Sequence, residues 1–457
     1  MSPMRRTSPR LSRRILLTLA LAALATRAQA AGHDAEIDKL LRDILDAEPD
    51  QQLTLIDQLG DLGDLAAVPG LIQMLFWLPI DDDKVLPNAL HKLTGARPGE
   101  TFRDWMVWQQ DHPEFKPHLG FEKLLTDLFG GLDPKFRRFL TPDVPRAIRF
   151  EEIVWGGVNV DAIPALDDPK MIQAAEATYL TPTDRVFGVA LNGDIRAYPE
   201  RILNWHEMAN DTVGGIPVSL AYCTLCNAAI LYDGRVPGAP TALTFGTSGL
   251  IYRSNKLMYD RTTNSLWQQL TGTPALGGLV GSGAQLTQLP LTIASWSDWQ
   301  ARHPTTKVLS PDTGFKRDYT SEGAYAAYFA SPYLAFPAAV KNTTLKPKDL
   351  VFGLHAPGAS RAWPLARFAT TPLINDRAGL IDVLLLGDAT TRTVRAYVRT
   401  GHTFTADGPT LKSTDGTTWT PTEDALLGPN NQSLPRLPGN LAYWFAWSGA
   451  YGDDLAQ

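Results

Sequence analysis

The sequence predicts an α+β chain: a helical region over residues 31–140, then two related β-rich, mainly antiparallel domains over 145–315 and 330–457. Three observations predict it. Apolar residues near the N-terminus recur with a helical period. Later stretches alternate with period two and are cut by Asn-Gly, Gly-Gly and Pro turns. A long block of the later sequence is also written twice without gaps, the signature of one structural unit used in tandem.

The leader comes first. Arg5, Arg6, Arg10, Arg13 and Arg14 precede an apolar run from Ile15 to Ala25, which ends in Ala28-Gln29-Ala30, an A-x-A cleavage pattern. The run is too short to cross a bilayer about 30 Å thick. Residues 1–30 are therefore expected to be a signal peptide, with the mature chain starting near Ala31 and located in the periplasm or secreted. Ser12-Arg13-Arg14-Ile15-Leu16-Leu17 resembles a twin-arginine signal, and an ordinary secretory leader stands beside it. No later stretch approaches transmembrane length. The net charge is −6, with no long basic run past the leader, so nothing would neutralise a phosphate backbone and nucleic acid is excluded as a partner.

In the helical region, Ile37, Leu40, Leu41, Ile44 and Leu45 share one helix face. A second run, Leu53 to Leu59, is expected to stop at Gly60. Leu62 to Ile72 then resembles the inter-helix turn of a HEAT repeat, with Pro69 tolerated in the first turn of the next helix. HEAT-like units make a scaffold on which a protein partner docks, not an active site. The region closes with Trp105-x-x-Trp108 and His112-Pro113, a frame that returns as Trp296-x-x-Trp299 and His303-Pro304, and more loosely at Trp444 and Trp447. Tryptophans three apart share a helix face. These are packing residues, and His112 and His303 are helix-end histidines rather than ligands.

The repeat follows. Val186 to Pro199 aligns with Val351 to Pro364, Asn210-Asp211 with Asn375-Asp376, Gly214 with Gly379, and Val218 with Val383. The echo continues through Leu289-Pro290 and Leu437-Pro438. Each copy opens as a hairpin, which in the first turns at Asn192-Gly193, the pair best suited to two left-handed positions. A short helix is expected from Glu200 to Asn210, then a strand from Pro217 to Cys223, with further strands at Ala228 to Tyr232, Ala242 to Phe245 and Leu257 to Tyr259.

The chemistry concentrates between Asn204 and Cys226. The only two cysteines, Cys223 and Cys226, stand in C-x-x-C spacing, with His206 seventeen residues upstream of the first. In the register of the repeat, His206 falls on Thr371, Cys223 on Asp388 and Cys226 on Thr391, so the second copy keeps the fold without the triplet. Three readings compete. The first is a metal centre with ligands His206, Cys223 and Cys226, since thiolates with an imidazole suit copper or zinc and one turn presents two sulfurs to one ion. A fourth ligand is missing from the motif, which favours copper over zinc; Met258, His355 and His402 are its candidates. The second is a redox dithiol, and the third a structural disulfide. His206, Cys223 and Cys226 are the catalytic candidates in the first two. Glu207 would orient His206 or stand in solvent.

Four blocks, A-Y-P-E-R-I-L-N-W-H-E-M-A-N-D, V-S-L-A-Y-C-T-L-C-N-A-A, F-G-T-S-G-L-I-Y-R-S-N-K-L-M-Y-D-R and S-L-W-Q-Q-L-T-G, lie in order across residues 197–272. With them the chain resembles the bacterial family catalogued as domain of unknown function 3179, over roughly residues 150–400. That family often reads C-P-x-C-G, and here Asn227 replaces the glycine; both residues tolerate a left-handed turn. The resemblance implies an exported bacterial protein and lends no activity. Within the third block, Arg253, Tyr259 and Asp260 are candidates for binding a polar or anionic cofactor or ligand, against the plainer reading of a solvated hairpin edge. Gly246-Thr247-Ser248-Gly249 lacks the spacing of a nucleophile elbow, and no dinucleotide, Walker or H-E-x-x-H pattern exists. The function expected is therefore a metal-dependent or dithiol oxidoreductase of small molecules or a redox partner. A metal- or ligand-binding envelope protein with a structural disulfide is the alternative.

Overall fold

A computed structural model describes residues 33–78, 84–239, 241–320, 323–356 and 358–456. The leader read at residues 1–30 lies outside them. Two compact units divide the chain, the first ending at Leu128.

The first unit is helical. It begins with a helix over 33–46 and continues through Pro49–Asp61, Val68–Trp77, Val85–Thr94, Phe102–Asp111 and the start of Phe121–Leu132. The buried stripe of the first helix comprises Ile37, Leu40, Leu41 and Ile44, the face marked by the periodicity. The expected turn is present: the Asp64 side chain accepts from the Ala66 N–H, and Pro69 occupies the first turn of Val68–Trp77. Gly60 does not stop its helix. A side chain there would press on Ala89 of Val85–Thr94, so this glycine permits close helix packing instead. Among the described residues no helix is long and apolar enough to cross a membrane.

The second unit carries mainly antiparallel sheets in which the repeat is visible strand by strand. In the first copy, Asp194–Pro199, Arg185–Leu191 and Thr292–Ser295 lie side by side; in the second, Ala359–Pro364, Leu350–Ala356 and Gly439–Tyr443 do the same. A second sheet runs Met208–Val213, Ile216–Cys223, Ala228–Asp233, Thr287–Leu289, echoed by Leu373–Ala378, Ile381–Asp388, Thr393–Val398, Ser433–Leu437. Local devices repeat as well. Asn210 clamps the backbone of Phe245 through both ends of its amide at 2.9 Å. Asn375 clamps Phe404 in the same way, at 2.9 and 2.8 Å. Each Trp-x-x-Trp pair opens a helix, Trp296–Arg302 and Trp444–Tyr451. Its second tryptophan lies against a glycine, Gly188 or Gly353, where any Cβ would overlap the ring.

The two copies do not keep separate cores. One buried cluster joins Phe187, Tyr198 and Leu220 to Phe352, Trp363 and Val383. The strand Ile216–Cys223 is buried on both faces. Val218, Leu220 and Tyr222 enter that cluster, while Ala221 and Cys223 enter a second one with Trp267, Trp444 and Trp447.

Candidate functional site

The thiol loop is the tip of the hairpin formed by Ile216–Cys223 and Ala228–Asp233, which closes at the pair Cys223 and Ala228. Four residues connect the strands. The Cys226 N–H donates to the Cys223 carbonyl and the Asn227 N–H to that of Thr224, at 3.2 Å each. Asn227 takes φ 48°, the left-handed turn for which asparagine substitutes for glycine. Copy two closes the same turn differently: Asp388, in the place of Cys223, accepts the N–H groups of Thr390 and Thr391 at 2.7 and 3.3 Å. Ring closure there needs only a carboxylate, so the turn itself does not require two thiols.

Both cysteines are free and buried, with their sulfurs 3.0 Å apart. They are separate thiols, not the disulfide allowed for above. The strand pair Phe245–Tyr252 and Asn255–Asp260 addresses them. Asn255 Nδ2 donates to the Cys226 sulfur at 3.2 Å and to Gln269 Oε1 at 3.0 Å. Gln269 in turn donates to the Ala221 and Ala228 carbonyls, bracing the hairpin from behind. The backbone of Lys256 hydrogen-bonds to the Cys223 sulfur. Its ammonium, also buried, donates to the Glu207 carbonyl at 2.8 Å and lies 3.4 Å from the Glu207 carboxylate. Glu207 also accepts from Thr224 Oγ1 at 2.9 Å and from the Tyr325 hydroxyl at 3.2 Å.

These neighbours separate the two thiols electrically. Burial pushes the Cys223 thiol up, but its hydrogen bond with Cys226, the Lys256 N–H and the Lys256 charge together bring it below the ordinary thiol value, against the opposing charge of Glu207. Burial and the adjacent Cys223 push Cys226 well above that value. A cavity of about 200 Å³ opens beside them. Of the two cysteines, Cys223 alone lines it, with Glu207, Lys256 and Tyr325 at the same polar end and Val158, Ile163, Leu225, Leu250, Leu257, Tyr328 and Phe336 among its walls.

His206 does not join this group. Its helix runs only over Glu200–His206, short of the expected Asn210, because Glu207 turns left-handed at φ 54° and a strand starts at Met208. The ring is then engaged at both nitrogens: Nδ1 at 2.8 Å from the Pro164 carbonyl, Nε2 at 2.6 Å from the Tyr319 hydroxyl. Burial lowers its pKa. Among the described residues no group of three or more His, Cys, Asp or Glu side chains is placed to hold a metal ion. The three-residue donor set expected of His206, Cys223 and Cys226 is therefore not assembled. Of the fourth-ligand candidates, Met258 is buried, His355 Nδ1 pairs with Ser360 Oγ at 2.6 Å, and His402 faces Asp415 at 4.0 Å. The cofactor-binding candidates are occupied elsewhere. Arg253 pairs with Glu152 at 2.6 Å, the Tyr259 hydroxyl donates to Asp161 at 2.6 Å, and Asp260 accepts from the Trp267 indole at 2.9 Å. None of the three lines the cavity.

Sequence reasoning passed over Asn255, Lys256 and Gln269, and it set Glu207 beside His206 or in solvent rather than against Thr224, Lys256 and Tyr325. Glu207, Asn255, Lys256 and Gln269 each lie inside one of the four blocks quoted for the family resemblance, and the structure brings all four around one hairpin tip. A family model described as Protein of unknown function (DUF3179) matches residues 160–454, a span that takes in both copies of the repeat. No curated protein and no solved structure matches the chain.

Proposed function

The chain belongs to this family of proteins of unknown function, which supplies no activity to carry over, and we propose from the site itself that it is a dithiol oxidoreductase of small molecules. One observation carries the reading: two free thiols 3.0 Å apart at the end of a cavity that Cys223 lines and Cys226 does not. That arrangement divides the labour. Cys223, the more acidic thiol, attacks one sulfur of a small disulfide, and the first thiolate leaves and takes a proton. Cys226 then gives up its proton and attacks the Cys223 sulfur, expelling the second thiolate and closing an internal disulfide. Two electrons pass from the dithiol to the substrate. The burial of both sulfurs favours a small molecule over a protein disulfide. The leader read at residues 1–30 agrees with work outside the cytoplasm, where thiol–disulfide chemistry is common.

The test uses the reduced full chain and a small symmetrical disulfide. The expected product has lost two thiols, Cys226→Ser accumulates a mixed disulfide on Cys223, and Cys223→Ser gives no adduct. Native protein that resists every small disulfide, while the denatured chain reacts, would overturn the reading. A binding protein whose cavity holds a ligand without turnover is the alternative that this result would favour.

A further inference from the structure

We infer that the cavity beside Cys223 selects neutral, apolar, single-ring-sized molecules, so that the substrates of the dithiol are small uncharged disulfides carrying one aromatic or alicyclic group. The inference rests on the dithiol reading for the reaction but on different observations for the ligand. Size is the first. A cavity of about 200 Å³ slightly exceeds the roughly 150 Å³ apolar cavity that takes up benzene. A single ring with a short substituent fits it; a peptide does not.

The walls are the second observation. Val158, Ile163, Leu250, Leu257, Tyr328 and Phe336 present carbon to the cavity, with Ala335 at an exposed point of its lining. Aromatic faces of this kind favour another ring by offset or edge contact.

Charge is the third observation and decides the class. The cavity's ionisable residues are Glu207, Cys223 and Lys256, besides tyrosines. Lys256 is spent on the carbonyl and carboxylate of Glu207, whose other oxygen is taken by Thr224 and Tyr325. An incoming carboxylate therefore meets no unengaged cation. Burying it unpaired is strongly unfavourable. An incoming ammonium meets Lys256. Neutral molecules alone enter without such a cost.

Two measurements test this separately from the redox reading. In the first, the Cys223→Ser/Cys226→Ser chain is titrated with toluene and with benzoate, and binding is followed by thermal shift and by NMR. Toluene is expected to bind and benzoate not, and Ala335→Trp, which narrows the lining from an exposed position, is expected to weaken toluene at least about tenfold, on the scale set by a methylene or more of lost pocket. In the second, reduced wild-type chain is oxidised with methyl phenyl disulfide and with a methyl disulfide bearing a carboxylate in place of the ring. The phenyl compound is expected to react faster by about a hundredfold, the size of discrimination a buried unpaired charge provides. Equal rates for the two disulfides, or equal binding of toluene and benzoate, would overturn the selectivity and leave the dithiol reaction standing. Toluene binding with no thiol loss to either disulfide would leave the cavity's ligand class standing and remove the reaction.

Discussion

Two buried charges of opposite sign act on the Cys223 thiol. Lys256 lowers its pKa through both its N–H and its ammonium, and Glu207 raises it. Lys256→Met should therefore shift the pH profile of Cys223 alkylation upward, and Glu207→Gln should shift it downward. Lys256→Arg should restore most of the wild-type profile. A purely structural role for Lys256 would change the melting temperature and leave the profile in place. At this scale the sequence was half legible. The cysteine spacing pointed to two thiols side by side, and the structure places them together at one buried hairpin tip. His206 misled because a histidine next in sequence to the polar end of a site is indistinguishable, by type alone, from a histidine inside it. Its ring is turned to Pro164 and Tyr319. The residue that does face the thiol loop is its neighbour Glu207, and only the left-handed backbone at that position sends it there.

The elements around the site depend on close backbone approach. Gly188 and Gly353 sit under Trp299 and Trp447, in strands Arg185–Leu191 and Leu350–Ala356. Each glycine lets the helix that carries the tryptophan lie directly on a sheet. Gly188→Ala and Gly353→Ala should each destabilise by about 1 to 3 kcal/mol through overpacking, read as a lowered denaturation midpoint with unchanged slope. Trp299→Leu combined with Gly188→Ala should cost less than the sum of the single changes, since the two side chains compete for one space. The Trp-x-x-Trp helices were readable from spacing, and so was the Asn192-Gly193 turn, where φ is 50° and 82°. The end of the helix at His206 was not, because Ile202, Trp205 and Met208 keep a helix-like spacing of three past that point while the backbone switches to strand.

The two copies are bound into one unit by a buried carboxylate as well as by carbon. Glu423 of the second copy accepts from Thr292 of the first at 2.6 Å and pairs with Arg302 of the first and Arg436 of the second. Burial alone would raise its carboxyl, but the nearby His303 ring and the guanidinium groups of Arg436, Arg302 and Arg395 hold it well below its ordinary 4.5. A depressed carboxyl stabilises the fold fully above the unfolded pKa, and that contribution is lost as pH falls through the folded one. Wild-type chain should thus lose stability progressively below about pH 4.5, with Glu423 contributing to the loss. Glu423→Gln should be less stable at neutral pH by about 3 to 5 kcal/mol, the cost of leaving buried cations unpaired, and should show a flatter acid limb. Parallel melting curves for the two proteins from neutral pH to pH 3 would contradict this. The repeat was legible in the sequence because its turns and tryptophans recur in register. The shared core was not, because apolar residues say only that they are buried and not which copy they meet.

The strand Ile216–Cys223, walled by one buried cluster on each face, ends in the thiol loop, and this fixes the history of the sulfurs. Anything too large for the cavity reaches them only when that strand leaves both clusters, which is an opening near the top of the molecule's free-energy scale. Under the proposed dithiol chemistry, the oxidation state in which the chain folds is therefore retained as a memory. Macromolecular oxidants and reductants can write it only during folding, and afterwards it is erased only by a molecule small enough to come in beside Cys223.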